Sequence, residues 1–174
     1  MTVVLVTGPI GGGKSAVCKY LTGKGFPVYD CDSRCKMLYD EVPGLKLRIE
    51  EELGIAFSEL GMIFSSDELR LKLEALVYPL LVQDMKAWLS SVEGPLAFVE
   101  SAIAMDKHEF DGLYDRVLIV TASKAIRYAR NPKARLRDRL QNFDLTKADA
   151  VIRNNSTLDD LYLKVDNYLK EYKQ

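Results

Sequence analysis

The chain has 174 residues, of which 48% are apolar and 28% charged, and its formal net charge is −1. This length suits one domain, and the apolar fraction is sufficient for a hydrophobic core. The near-neutral charge argues against a general nucleic-acid binder, which would carry a strong basic excess. No apolar run is long enough to span a bilayer, so we expect neither a membrane nor a nucleic-acid partner.

Cysteine usage indicates the compartment. Cys18, Cys31 and Cys35 are odd in number and do not show the paired spacing of a metal site. Reduced thiols are therefore expected, as is typical of cytosolic proteins. The chain passes directly from Met1 and Thr2 into an apolar run, which leaves no room for a signal peptide. We expect a cytoplasmic protein.

The first predicted strand is followed by a glycine-rich loop. Residues 3–6 are apolar and predict a buried strand, and residues 16–21 predict the start of a helix. Between them, residues 8–15 read Gly-Pro-Ile-Gly-Gly-Gly-Lys-Ser, which fits the phosphate-binding P-loop pattern. A chance glycine-rich loop is the alternative, but the strand and helix on either side favour the P-loop. In that setting Lys14 reaches the β- and γ-phosphates and the Ser15 hydroxyl ligates Mg²⁺.

The remaining elements alternate between apolar strands and amphipathic helices, which predicts a parallel α/β sheet. Further strands are predicted at residues 25–29, 96–100, 117–120 and 149–152. Helices are predicted at residues 45–53, ended by Gly54, and at residues 67–88, where Pro79 is expected to kink or split the helix. Residues 57–64 are poorly periodic and predict a loop. Ser156 or Thr157 is expected to cap a C-terminal helix.

Carboxylates follow two of these strands. Asp30 and Asp32 come after the second strand, and Glu100 ends a later one. Ligands collect at the carboxyl ends of parallel strands, so these residues and the P-loop are expected along one edge of the sheet. Asp30 and Asp32 are predicted to share a face of an extended segment. Such a carboxylate can orient or deprotonate an attacking hydroxyl, or hold Mg²⁺ directly or through water. Helix capping is the alternative for Asp32 and the expected role of Ser33.

A strongly basic segment spans residues 124–139, in which Asp138 is the only acid. Its cations include Arg127, Arg130, Lys133, Arg135, Arg137 and Arg139. Arginines on a mobile lid can close over a triphosphate and neutralise the charge on the transferring group. A solvated helix face is the alternative, but the charge imbalance favours a lid.

Several motifs occur together in one order. They are Val-Thr-Gly and Gly-Gly-Gly-Lys-Ser within residues 6–15, Val-Tyr-Asp-Cys-Asp-Ser-Arg at 28–34, Val-Tyr-Pro at 77–79, Val-Glu-Ser-Ala-Ile at 99–103 and Ala-Asp-Ala-Val-Ile-Arg-Asn-Asn at 148–155. With these motifs the chain resembles the dephospho-coenzyme A kinases. The Asp-X-Asp spacing and the Ala-Asp-X-Val-Ile-X-Asn tail are more selective than the P-loop alone.

This resemblance implies a P-loop NTPase fold in one domain over residues 1–174, a parallel sheet flanked by helices. A helical substrate-binding region is expected at about residues 33–92 and a short lid at about residues 124–145. The implied reaction transfers the γ-phosphoryl of ATP to the ribose 3′-hydroxyl of dephospho-CoA, with Mg²⁺ present. This is the last step of CoA synthesis.

The resemblance also implies residue roles. Lys14 and Asp32 would be catalytic, with Lys14 on the transferring phosphoryl and Asp32 on the 3′-hydroxyl, and Ser15 would ligate the metal. The expected ATP-binding residues are Gly8, Gly11, Gly12, Gly13, Lys14, Ser15, Ala16 and Arg130. The expected acceptor-binding residues are Asp32, Arg70, Tyr78 and Glu100.

The chain departs from the usual family pattern in several places: Ala16 stands where the family usually has threonine, Met105 stands where an acidic residue is common, and the lid and the helical region are both short. Tyr78 precedes Pro79 where the family usually has histidine. Two alternatives therefore stay open at the level of sequence: a related P-loop kinase acting on another nucleoside-like molecule, or a non-catalytic ATP-binding paralogue.

Overall fold

The computed structural model describes residues 1–138 and 144–172. Within these residues five parallel strands form one sheet in the order β2-β3-β1-β4-β5. The strands are β1 (Thr2–Thr7), β2 (Val28–Asp30), β3 (Leu96–Glu100), β4 (Arg116–Thr121) and β5 (Ala150–Arg153). All the strands expected from the sequence are present, with ends shifted by a few residues. The predicted parallel α/β class is confirmed.

The α-helices of the described residues are α1 (Lys14–Gly23), α2 (Cys31–Glu41), α3 (Leu45–Leu53), α4 (Asp67–Ser91), α5 (Lys124–Arg130), α6 (Ala134–Arg137) and α7 (Leu158–Leu169). Short 3₁₀ helices cover Phe57–Ser65, Ala104–Asp106, His108–Phe110, Leu145–Lys147 and Lys170–Tyr172. Gly54 ends α3 with a φ of 67°, as expected, and the Thr157 side chain caps α7 by accepting from the Asp160 N–H. In the described part of the chain, no helix has both the length and the apolarity needed to cross a bilayer.

One predicted feature of the middle of the chain is wrong and a second is wrong in part. The segment expected to be a loop forms the 3₁₀ helix Phe57–Ser65. Of the two outcomes expected at Pro79, the split does not occur, because α4 runs continuously from Asp67 to Ser91, and the kink stays a prediction. Proline removes one backbone hydrogen bond, and the buried Leu73, Val77 and Leu81 continue one apolar stripe past it.

A third correction concerns the residues after β2. Helix α2 begins at Cys31, so Ser33 lies inside the helix and does not cap it. Asp32 also lies in the first helical turn, which means that Asp30 and Asp32 do not share an extended segment. A carboxylate in the first turn interacts favourably with the positive end of the helix dipole, so Asp32 stabilises a helix that begins at Cys31.

The described chain divides into two compact units. The sheet unit comprises Met1–Asp30 and Val92–Gln174, and the helical unit comprises Cys31–Ser91. In the sheet unit, alternate residues of the central strands pack against α1 and α7. The buried side chains of this core include Val4, Val6, Phe98, Leu118, Val120, Val17, Leu21, Leu161 and Val165. Each fully buried aliphatic side chain of this kind contributes about 1.5–3 kcal/mol.

The helical unit has its own core. Leu45, Ile49 and Leu53 recur every four residues along α3 and pack with Leu73 and Val77 of α4. An ion pair joins two of its helices, because the Arg34 guanidinium of α2 donates to both carboxylate oxygens of Asp84 in α4, at 2.6 and 2.9 Å. Arg34 also contacts Glu41 at 3.0 Å.

Candidate functional site

The P-loop connects the carboxyl end of β1 to α1 and depends on its glycines. Gly8 and Gly13 have φ angles of 137° and 109°, which L side chains rarely adopt. A Cβ on Gly8 would lie 2.1 Å from the carbonyl oxygen of Val120, and one on Gly13 would lie 2.2 Å from Nδ2 of Asn154. Both positions therefore require glycine for conformation and for space.

Helix α1 begins at Lys14, directly after this loop. The first turn of an α-helix presents backbone N–H groups without intrahelical acceptors, and the helix dipole makes that end positive. Lys14 adds a full charge there, since its Nζ donates to the Gly8 carbonyl at 2.9 Å and thus lies along the loop. N–H groups, dipole and ammonium together form an anion-binding site suited to phosphate.

Oxygen-bearing side chains lie next to this positive end. The Ser15 hydroxyl donates to Oε1 of Glu100 at 2.9 Å, and Glu100 is paired in register with Asp30 across β2 and β3. Burial raises the pKa of Glu100 and Asp30 adds to this, while the Ser15 hydrogen bond and Lys14 oppose it. Burial also raises the pKa of Cys18, so this residue remains a thiol. A hydroxyl beside carboxylates is the hard oxygen environment that Mg²⁺ prefers.

The start of the basic segment contacts the P-loop. The Arg127 side chain is buried at 5% exposure and pairs with both oxygens of Asp138, at 2.7 and 2.5 Å. Arg127 also donates to the Ile10 carbonyl at 3.3 Å. Its hydrogen bonds lower the pKa of Asp138. Asp138 is therefore the half-buried partner of Arg127, and the Arg127 side chain is itself buried.

Arg130 lies beside the loop as well. Its Nη1 donates to the Gly11 carbonyl at 3.3 Å, and its Nη2 is 3.5 Å from Oδ1 of Asn154. Arg139 falls outside the described residues, as does the part of the predicted lid at 139–143. The movement of a lid therefore stays a prediction.

The sequence analysis did not single out Asn154 as a site residue. Asn154 follows β5, is 4% exposed and donates from Nδ2 to the Gly12 carbonyl at 3.1 Å. The available signal was the Ala-Asp-X-Val-Ile-X-Asn tail, whose last residue is Asn154. Its partner could not be read from sequence because 142 residues separate the two groups.

The structure brings most of the expected ATP-binding residues together at one edge of the sheet, and Glu100 lies with them. These ATP-binding residues are Gly8, Gly11, Gly12, Gly13, Lys14, Ser15 and Arg130. Ala16 follows them in α1 and packs against the core of the sheet unit. Glu100 was expected to bind the acceptor, and here it contacts the P-loop serine.

The other expected acceptor residues belong to the helical unit. Asp32 is an exposed carboxylate in the first turn of α2. Arg70 of α4 pairs with Asp67 at 2.7 Å and with Glu74 at 3.7 Å. Tyr78, also on α4, is 8% exposed. Their roles stay predictions.

Comparison with known proteins identifies the family. A family model described as dephospho-CoA kinase matches residues 2–160. A dephospho-CoA kinase from Porphyromonas gingivalis is 35% identical over 139 residues, covering 75% of this chain and 68% of that protein.

Solved structures share the fold of this chain. A crystal structure from Thermus thermophilus has a TM-score of 0.82 and 26% identity and covers 99% of this chain and 98% of its own. A dephospho-CoA kinase from Campylobacter jejuni, with a TM-score of 0.63, 19% identity and coverage of 98% and 96%, shares the fold. A P-loop kinase fold with a nucleotide substrate follows from the family and the sheet-edge geometry. The chain belongs to the dephospho-CoA kinase family.

Proposed function

We propose that this protein transfers the γ-phosphoryl of ATP to the ribose 3′-hydroxyl of dephospho-CoA, giving CoA and ADP. The observation that carries the proposal is the P-loop, with Lys14 and Ser15 at the sheet edge, in a chain that belongs to this family. Free cysteines Cys18, Cys31 and Cys35 and the use of ATP support the cytoplasm as its compartment.

The donor side binds and polarises the triphosphate. The N–H groups of the loop and of the first turn of α1 bind phosphate oxygens, and Lys14 stabilises the charge that spreads over the transferring phosphoryl. Arg130, held beside the loop, is the arginine we assign to ATP. These groups lower the barrier because they are already oriented when the reaction begins.

The acceptor side supplies the nucleophile. Asp32 accepts the proton of the 3′-hydroxyl, and the oxygen of that hydroxyl bonds to the γ-phosphorus. The bond between the γ-phosphorus and the bridging oxygen breaks, and this oxygen leaves with ADP. We assign acceptor binding to Arg70, Tyr78 and Glu100. A single positioned general base typically contributes a factor of about 10²–10⁴ in rate.

The residues at the loop also fit a divalent cation. Ser15 would ligate Mg²⁺. Glu100, which bonds Ser15, and Asp30, its register partner on the neighbouring strand, would accept hydrogen bonds from the water ligands of the ion. When bound, Mg²⁺ neutralises phosphate charge and orients the β- and γ-phosphates.

The test is an activity assay on the purified protein with Mg-ATP and dephospho-CoA. We expect stoichiometric ADP and CoA, with phosphorus NMR placing the new phosphate on the 3′ position. Adenosine and other nucleoside-like acceptors, run in parallel, test the related-kinase alternative. A better acceptor in that panel would replace dephospho-CoA as the substrate, and ATP binding without any acceptor turnover would favour a non-catalytic protein.

A further inference from the structure

Three successive carbonyls of the P-loop accept hydrogen bonds from side chains outside the loop. The Ile10 carbonyl accepts from Arg127 at 3.3 Å, and the Gly11 carbonyl from Arg130 at 3.3 Å. The Gly12 carbonyl accepts from Asn154 at 3.1 Å. Arg127 and Arg130 lie on α5 and Asn154 follows β5, so two separate elements hold one stretch of backbone.

These bonds determine where the N–H groups of the loop point. In a trans peptide the carbonyl of one residue and the N–H of the next point in opposite directions. Fixing the Gly12 carbonyl toward Asn154 therefore turns the Gly13 N–H away from Asn154. This peptide joins two glycines, whose backbones have a wide conformational range, so a hydrogen bond to the Gly12 carbonyl from outside the loop restricts its orientation.

The Asn154 amide can satisfy its neighbours in only one orientation. The Gly12 carbonyl requires an N–H donor, while the Arg130 guanidinium, 3.5 Å away, requires an acceptor. Placing Nδ2 toward Gly12 and Oδ1 toward Arg130 meets both requirements. The backbone N–H of Asn154 donates to the Thr121 carbonyl at 2.7 Å, which fixes the residue to β4. Asn154 is thus buried, and its hydrogen bonds to Gly12, Arg130 and Thr121 fix its position and its amide orientation.

We propose that Asn154 is a positioning residue for the nucleotide: it fixes the Gly12–Gly13 peptide so that the loop presents its N–H groups to phosphate. This inference rests on the proposed function, which supplies the nucleotide. Gly13 completes the arrangement, since any Cβ there would occupy the space of Nδ2. Asn154 touches the loop and not the substrate, so it acts through the backbone.

Two variants separate the hydrogen bond from the shape of the side chain. Asn154→Ala removes both without adding charge, whereas Asn154→Asp keeps the shape and the acceptor for Arg130, loses the donor to Gly12 and adds a negative charge beside the loop. We expect the Kd for Mg-ADP, measured by calorimetry, to rise about tenfold or more in both variants, the effect of one lost buried hydrogen bond. In turnover, the KM for ATP should rise while the KM for dephospho-CoA stays within about twofold of the wild-type value.

Controls distinguish positioning from general destabilisation. Val165→Ala empties a fully buried site in the same unit and lowers the Tm without touching the loop. Asn167→Asp makes the same chemical change at an exposed site on α7. Both should bind Mg-ADP like the wild type. If Val165→Ala weakens binding as much as Asn154→Ala at a matched loss of Tm, the effect is structural and the proposal fails.

The variants also test whether Asn154 is the donor that the Gly12 carbonyl needs. Wild-type affinity in a folded Asn154→Asp protein would overturn the proposal, because the donor to Gly12 would then be dispensable. Calorimetry with Mg-ADP needs no acceptor, so it remains decisive if the wild type forms no CoA. In that case the proposed function fails and the Asn154 inference is judged separately on nucleotide binding.

Discussion

The two units of the molecule hold their candidate site residues in different ways. In the sheet unit the site is built from backbone: strand ends in register, glycines with positive φ and carbonyls fixed by side chains. In the helical unit the candidate residues are side chains on helices, and one of them, Arg70, forms ion pairs with Asp67 and Glu74 of its own helix. Backbone geometry tolerates little change, whereas side chains on helices are easily exchanged. The nucleotide site is accordingly the more recognisable of the two in sequence.

Removing the P-loop charge should have the largest effect. Lys14→Met keeps the apolar stem but loses the ammonium beside the Gly8 carbonyl, and we expect kcat to fall about a thousandfold because a fixed cation no longer meets the transferring phosphoryl. Steady-state kinetics measures this. Lys19→Met, on the exposed side of α1, is the matched control. A Lys14→Met enzyme within tenfold of the wild type would show that this lysine is not at the reacting group.

Removing the buried guanidinium of the sheet unit should have the next largest effect, on stability. Arg127→Met removes the hydrogen bonds to both oxygens of Asp138 and to the Ile10 carbonyl, which should lower the free energy of unfolding by about 2 kcal/mol. Urea denaturation at neutral pH measures the change. Arg137→Met, a cation on α6 in the same basic segment, should lose under about 1 kcal/mol. Equal losses for the two variants would contradict the buried role of Arg127.

The corresponding change in the helical unit should lower the free energy of unfolding by a smaller amount. Arg34 and Asp84 are partly exposed, with side-chain exposures of 26% and 22%, so Arg34→Met should cost about 1 kcal/mol. The Kd for Mg-ADP should not change, since this pair lies in the helical unit. Arg48→Met, on the exposed face of α3, serves as the control. Weakened nucleotide binding in Arg34→Met would contradict the assignment of nucleotide binding to the sheet unit alone.

The smallest effect concerns pH. Burial raises the pKa of Glu100 in the folded protein, so between its unfolded and folded pKa values the native state binds more protons than the unfolded state. The contribution of Glu100 to stability therefore falls as pH rises through this window. Glu100→Gln should be more stable than the wild type above the window, and the difference should shrink below it. Thermal unfolding at pH 4 to 8 tests the sign, and a wild-type advantage at high pH would contradict it.

The sequence predicted the sheet unit better than the helical unit. The P-loop, the strands and the edge carrying Glu100 follow from local patterns, because glycine spacing and apolar runs are local signals. The role of Asn154 and the Arg127–Asp138 pair were missed because they depend on which loops meet in space. In the helical unit, Asp32 and Ser33 were placed outside α2 because Asp32 was expected to continue the extended segment and Ser33 to cap the helix. The helix begins at Cys31 instead, and Asp32 in its first turn stabilises that start. The split that was one of the two outcomes expected at Pro79 does not occur, since the tertiary packing of α4 outweighs the local preference of proline.

The assignment of phosphoryl acceptance to the helical unit and nucleotide binding to the sheet unit is tested most directly by Asp32→Asn. The measurement pairs kcat for CoA formation with the Kd for Mg-ADP, and Asp40→Asn, exposed on the same helix, is the matched control. We predict that Asp32→Asn lowers kcat by about a hundredfold or more while the Kd stays within about twofold of wild type. Wild-type turnover in Asp32→Asn, or a loss of nucleotide affinity equal to the loss of rate, would contradict the account.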